Sequence, residues 1–128
     1  AITGDLIDSR KTNIAVALAF AEEAVKFAPC YYVSGNHEAR VSEYQNLKTG
    51  LEAAGVTVLD DAQVKIEVSG ESITVIGVND PSFHADYLTS DAAVIASSQS
   101  FLRKMPVLQF FFLTDQSCLI PMWLMIWI

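Results

Sequence analysis

The first thirty-three residues carry the pattern that most restricts the fold. Ile2-Thr3 running into Gly4-Asp5 reads as the end of a short buried strand followed by a turn. From Thr12 to Ala28 a helix is predicted, because Ile14, Leu18, Ala21 and Val25 recur at three- and four-residue steps and give one apolar stripe. Pro29 stops that helix, and the β-prone run Cys30-Tyr31-Tyr32-Val33 ends at Ser34-Gly35. Strand, helix and strand in so short a span are a βαβ unit. Such a crossover sets parallel strands side by side, with the loops that follow both strands opening at one edge of the sheet.

The remainder extends the pattern into a mixed α/β domain. Ser42 and Gln45 are spaced as a Ser-x-x-Gln capping box, and Tyr44, Leu47, Leu51 and Ala54 continue as an apolar face until Gly55. Val56 to Leu59 is a short strand. Val64, Ile66 and Val68 alternate with Gln63, Lys65 and Glu67, which predicts a half-buried strand. Gly70-Glu71 is the expected two-residue turn into a return strand over Ser72 to Val78. A loop at Asn79-Asp80-Pro81-Ser82, a helix over Ser90 to Arg103 and a last strand over Val107 to Leu113 complete a βαβαββ(β)αβ order, parallel first and antiparallel later. One domain accounts for all 128 residues.

Composition narrows the class of function. Eight Lys plus Arg against fifteen Asp plus Glu give a net charge of -7, the wrong sign for a broad nucleic-acid surface. An apolar fraction of 52% excludes an intrinsically disordered chain. Cys30 and Cys118 form neither a zinc pattern nor a disulfide framework, so a reduced, cytoplasmic setting is expected. Between Val107 and Ile128 the one charged residue is Asp115, and Pro121 interrupts the apolar end that includes Trp123 and Trp127. That end is too short for a membrane span of about 20 residues and reads as a buried strand or an out-of-context tail.

Two polar clusters stand where the first two strands end: Gly4-Asp5-Leu6-Ile7-Asp8 and Gly35-Asn36-His37-Glu38. In an open α/β sheet this edge is where ligands bind, since loops from neighbouring strands converge there. Carboxylate, amide oxygen and imidazole together suit manganese, iron or zinc. A single aspartate can bind two cations about 3.5 to 4 Å apart, the separation that clamps a phosphoryl group and activates a water. His37, next in the chain to Asn36, points elsewhere in an extended loop and can donate a proton to a leaving oxygen, with Glu38 orienting its ring. Taken singly, Asp5 and Asp8 are more often turn or capping residues than metal ligands, and Asn36-His37 a plain loop. His84 reads as an ordinary loop histidine, Arg40 as a solvated or ion-paired side chain, and Cys30 as core packing.

The two clusters resemble the second and third motifs of the calcineurin-like metallophosphoesterases. Four specified residues at roughly 5% usage each would give Gly-Asn-His-Glu by accident about once in a thousand chains of this length. The run Val75-Ile76-Gly77-Val78-Asn79-Asp80-Pro81 adds a likeness to a bacterial branch whose members often act near membranes, and the resemblance spans residues 1 to about 106. It implies a four-layered α/β/β/α sandwich with two divalent metal ions, hydrolysing phosphate monoesters or diesters. By position, Asp5 resembles the metal-bridging aspartate, Asn36 a ligand of the second metal, and His37 the histidine that contacts the substrate phosphate. Asp8 and Glu38 fall at supporting positions.

The sequence also departs from the family pattern. The Asp-x-His motif expected upstream has no room before Asp5, and after His84 there is no histidine for the later Gly-His-x-His motif. The expectation is therefore a partial phosphoesterase domain, family-like over 1–106, with an atypical apolar tail over 107–128. A function of another class stays open: a catalytically silent α/β domain that associates with a partner or itself through that tail. Membrane association of a longer protein rests on family analogy alone.

Overall fold

A computed structural model describes residues 1–83 and the main chain of residues 109–112. The expected helix over Ser90 to Arg103, His84, Cys118 and the tail with Trp123 and Trp127 lie outside the described residues.

The βαβ unit forms as expected. Strand β1 (Ile2–Thr3) pairs in parallel with β2 (Tyr31–Val33), with Ile2 opposite Tyr32 and Thr3 opposite Val33. The crossover between them contains helix α1 (Ile14–Ala24). This helix is shorter than the predicted Thr12 to Ala28, for local reasons. Asn13 caps it, its side chain accepting from the Val16 N–H. At the other end Lys26 and Phe27 bond three residues back, to Glu23 and Ala24, so the chain tightens before Pro29.

Helix α2 (Tyr44–Ala53) follows, and its start corrects the predicted capping box. Glu43 is the cap, without a side-chain bond to the helix, because the Ser42 hydroxyl donates to the Glu43 carboxylate at 2.8 Å. The end is built as the glycine predicts. Gly55 takes φ +94°, its N–H bonds Glu52 O, and the Val56 N–H reaches Leu51 O at 2.9 Å. Val56 and Leu51 then enter the same core. Strand β3 (Thr57–Val58) adds in parallel to β2, giving a sheet of order β1-β2-β3.

The second sheet begins with β4 (Gln63–Val68) and β5 (Glu71–Gly77), antiparallel from Gln63 opposite Ile76 to Val68 opposite Glu71. Glu71 is thus in the ladder, and the turn is Ser69-Gly70, one residue earlier than predicted. Both turn residues have positive φ, +55° and +84°, which suits the right-handed twist of the paired strands. The last strand, expected over Val107 to Leu113, is β6 (Gln109–Phe112), parallel to β5.

Alternation along β2 places one side chain in each core. Tyr32 joins Ile7, Ala17, Ala21, Leu47, Leu51 and Val56 beneath the two helices, and Val33 joins Leu59 and Val75 between the sheets. Leu47 and Leu51 are fully buried, each contributing about 1.5 to 3 kcal/mol. Helices, sheet and second sheet are three successive layers of an α/β fold. Cys30 is partly buried at the first core's edge. Among the described residues no helix is long and apolar enough to cross a membrane.

Burial pushes the Tyr32 phenol well above its ordinary value, with the nearby Glu38 carboxylate adding to it. Tyr44 is raised too, by burial first and then by its hydrogen bond to Asp60. A folded value above the unfolded one of about 10 stabilises the fold fully below that pH, and the contribution disappears as pH rises through the folded value. Urea midpoints are expected to fall above about pH 10, with Tyr32→Phe flattening part of the fall. Identical alkaline profiles for the two proteins would refute this.

Candidate functional site

The crevice at the carboxyl end of the first sheet is built by one buried side chain. Glu38 opens a 3₁₀ turn (Glu38–Arg40) and is 0% exposed. Its Oε2 accepts from the main-chain N–H groups of Asp5 and Gly35, each at 2.9 Å. Its Oε1 accepts from Leu6 at 2.7 Å and Ile7 at 3.3 Å. Four main-chain donors make a buried carboxylate tolerable without a counter-ion. They also fasten the loop after β1 to the loop after β2.

The first loop needs that fastening, because it leaves its strand through two successive left-handed residues, Gly4 at φ +80° and Asp5 at φ +51°. Glycine adopts this region freely, and aspartate is among the few other residues that tolerate it. The turn brings the Asp5 carboxylate against the second loop, where Oδ1 accepts from the His37 N–H at 3.1 Å. Gly35 makes room for it: a Cβ there would lie 2.4 Å from Asp5 Oδ1 and 2.6 Å from Asp5 N. Asn36 sits between these two neighbours of Asp5. Its Oδ1 is buried and has no hydrogen-bond partner among the described residues.

His37 is held differently from the sequence expectation. Both Glu38 oxygens are occupied by main-chain donors, so Glu38 does not orient the ring. Residues of the first loop do. The Ser9 N–H donates to His37 Nδ1 at 3.0 Å, the Ser9 hydroxyl lies 3.3 Å from the same nitrogen, and Asp8 Oδ1 lies 3.4 Å away. Asp8 Oδ1 itself accepts from Arg10, through the main-chain N–H at 2.9 Å and Nε at 3.3 Å. The main-chain bond first, and then the guanidinium, hold the Asp8 carboxyl below the usual carboxylate range.

The second sheet reaches the same edge. The Ser34 hydroxyl donates to Asn79 Oδ1 at 2.8 Å, and the Asn79 N–H donates to Asp61 Oδ1 at 2.9 Å. Asp80 is buried, with Oδ1 accepting from the Ser82 N–H at 2.8 Å and Oδ2 without a partner among the described residues. Tyr44 and Lys48 of α2 both donate to Asp60, and the Tyr44 ring packs on Phe83 with centroids 4.9 Å apart. Arg40 is exposed.

Sequence reasoning assigned no role to Ser9, Ser34, Asn79 or Asp80. Ser34 carries a faint signal, standing directly between a buried strand and the glycine of the second cluster. Ser9 carries none, because its main-chain N–H makes the shorter contact.

A buried amide oxygen without a donor among the described residues, on the residue between two neighbours of Asp5, is the kind of atom that suits a hard or borderline cation. The fit is to part of a metal site. Among the described residues no three His, Cys, Asp or Glu side chains group closely enough to hold an ion.

The family model described as Calcineurin-like phosphoesterase matches residues 1–109. The chain belongs to that family. It is also 34% identical over 105 residues to the uncharacterized metallophosphoesterase YkoQ of Bacillus subtilis (strain 168), a match covering 78% of this chain and 36% of that protein. The chain thus spans about a third of the length of the relative it matches. No solved structure matches it significantly. The α/β fold with its mixed sheets is consistent with that family, which generally uses divalent metal ions and acts on phosphate esters.

Proposed function

We propose that this chain carries part of a phosphoester hydrolase site, with Asp5 and Asn36 as oxygen ligands of divalent cations and His37 as the group that meets the substrate. The observation that carries the proposal is the buried Asn36 Oδ1, without a hydrogen-bond partner among the described residues and next in the chain to His37, whose N–H donates to the Asp5 carboxylate. Manganese, iron and zinc all suit this donor pair, and two ions are expected by the family pattern. When bound, such ions supply Lewis acidity at phosphorus and activate a water.

The chain's own residues do the remaining work. Glu38 keeps the two loops in register, and Asp5 bridges them through the His37 N–H. His37, placed by Ser9 and Asp8, offers its outer nitrogen to an oxygen of a phosphate monoester or diester as the bond to the leaving group breaks.

Calorimetric titration with Mn²⁺ tests the ligand assignment, alongside hydrolysis of an aryl phosphate. Asp5→Ala and Asn36→Ala are each expected to weaken Mn²⁺ binding by about tenfold or more, roughly 1.4 kcal/mol, and to slow hydrolysis. A wild-type protein that takes up no metal and is as inert as Asp5→Ala would end the proposal for this chain.

A further inference from the structure

The ends of three strands converge beside the crevice. A Cβ on Gly77, the last residue of β5, would strike Leu59 O and Val33 Cγ1, so β5 finishes against the ends of β3 and β2. The chain turns polar just beyond each of these ends, with Ser34 after β2, Asp60 and Asp61 after Leu59, and Asn79 after Val78. Asn79 is fixed there at two points. Its Oδ1 accepts from the fully buried Ser34 hydroxyl at 2.8 Å, and its main-chain N–H donates to Asp61 Oδ1 at 2.9 Å. The two ends of a carboxamide lie on opposite sides, so an Oδ1 turned to Ser34 leaves the NH₂ group, with its two donor hydrogens, facing away from it. Asn79 is half-buried and Ser34 stands two residues before Asn36, which sets this NH₂ group along the wall of the crevice. Asp60 and Asp61 are close by, but Tyr44 and Lys48 donate to Asp60 and the Asn79 N–H donates to Asp61, so both carboxylates are turned to partners of their own.

We propose that Asn79 is a substrate-binding residue, its NH₂ group, turned outward by the Ser34 bond, donating to an unesterified oxygen of the phosphate group. The amide is neutral at every pH and carries donors only at that end, which suits an anionic oxygen. This rests on the proposed function, and it adds a contact from the second sheet to a site whose other members all come from the two loops of the first.

The probe is inorganic phosphate, titrated calorimetrically into the full chain with Mn²⁺ present. Asn79→Asp keeps an oxygen for the Ser34 hydroxyl and removes the NH₂ group. It is expected to weaken phosphate binding about tenfold, equivalent to ~1.4 kcal/mol, without weakening Mn²⁺ binding measured alone. A residue that only joins the two sheets would leave both affinities in place or lower them together, and either result overturns the proposal. A second measurement needs no variant and separates contact from the charge that aspartate adds. With Zn²⁺ in place of Mn²⁺, the side-chain amide signals of wild-type Asn79 in a ¹H–¹⁵N correlation spectrum are expected to move when phosphate is added. Signals that stay in place as phosphate binds refute the contact, whether or not Asn79→Asp folds. Wild-type protein that binds Mn²⁺ and phosphate while Asn79→Asp binds phosphate equally well loses this proposal and keeps the proposed function. Wild-type protein that binds no metal loses both.

Discussion

Replacing Glu38 by glutamine is expected to cost the fold about 4 kcal/mol, measured as the change in urea unfolding free energy followed by circular dichroism. Each carboxylate oxygen receives two main-chain donors, from Asp5 and Gly35 on one side and from Leu6 and Ile7 on the other. A glutamine keeps one acceptor and turns its NH₂ toward the other pair, so two charge-assisted bonds worth about 1.5 to 3 kcal/mol each are lost. The site is fully buried, leaving water no easy access to replace them. Domains are stable by only about 5 to 15 kcal/mol, so the variant is expected to approach the unfolding threshold. A change below about 1 kcal/mol would show that the four bonds are dispensable.

The second large effect is expected at Gly77→Ala, about 3 kcal/mol of destabilisation by overpacking. A Cβ at this position would lie 2.1 Å from the main-chain oxygen of Leu59, 2.3 Å from Leu59 Cβ and 2.6 Å from Val33 Cγ1. The nearest obstacle is backbone immediately after β3, tied to β2 through the Leu59 N–H to Tyr32 O bond, which cannot rotate away, so the two sheets must separate. Gly50→Ala provides the contrast. The nearest atoms to a Cβ there all belong to the flexible Leu18 side chain, its methyls at 2.6 and 2.7 Å and Cγ at 3.2 Å, and the helix gains up to about 1 kcal/mol from alanine. The two substitutions are therefore expected to differ by 2 kcal/mol or more, roughly the upper half of the overpacking range. Equal effects in parallel urea titrations would show that the sheets slide apart freely at this point.

What was legible in the sequence was whatever depends on periodicity and chain order. The stripe of Ile14, Leu18, Ala21 and Val25 and the stop at Pro29 identify the crossover. The alternation from Gln63 to Val68 identifies β4 residue for residue. Parallel pairing of β1 with β2 follows from those elements, and with it the meeting of the Asp5 and Asn36 loops. Choices among competing hydrogen bonds were not legible. Ser42 has the spacing of a capping residue, yet its neighbour Glu43 takes its hydroxyl. Glu38 adjoins His37 in sequence, yet its side chain turns inward to the main chain, leaving the ring to Ser9 and Asp8. The turn at Ser69-Gly70 was misplaced by one residue because serine, unlike glycine, gives no warning of a positive φ.

Because a single carboxylate serves both lips of the crevice, neither lip can open by itself. Swinging Gly35 outward releases Glu38 and with it the amides of Asp5, Leu6 and Ile7, from the far end of a crossover of about thirty residues. The amide protons at these four positions then trade with deuterated solvent as one cooperative unit, at a rate set by a shared opening. A ligand arriving there meets a rim that is either assembled or melted, and it shifts a two-state balance instead of bending a pliant loop.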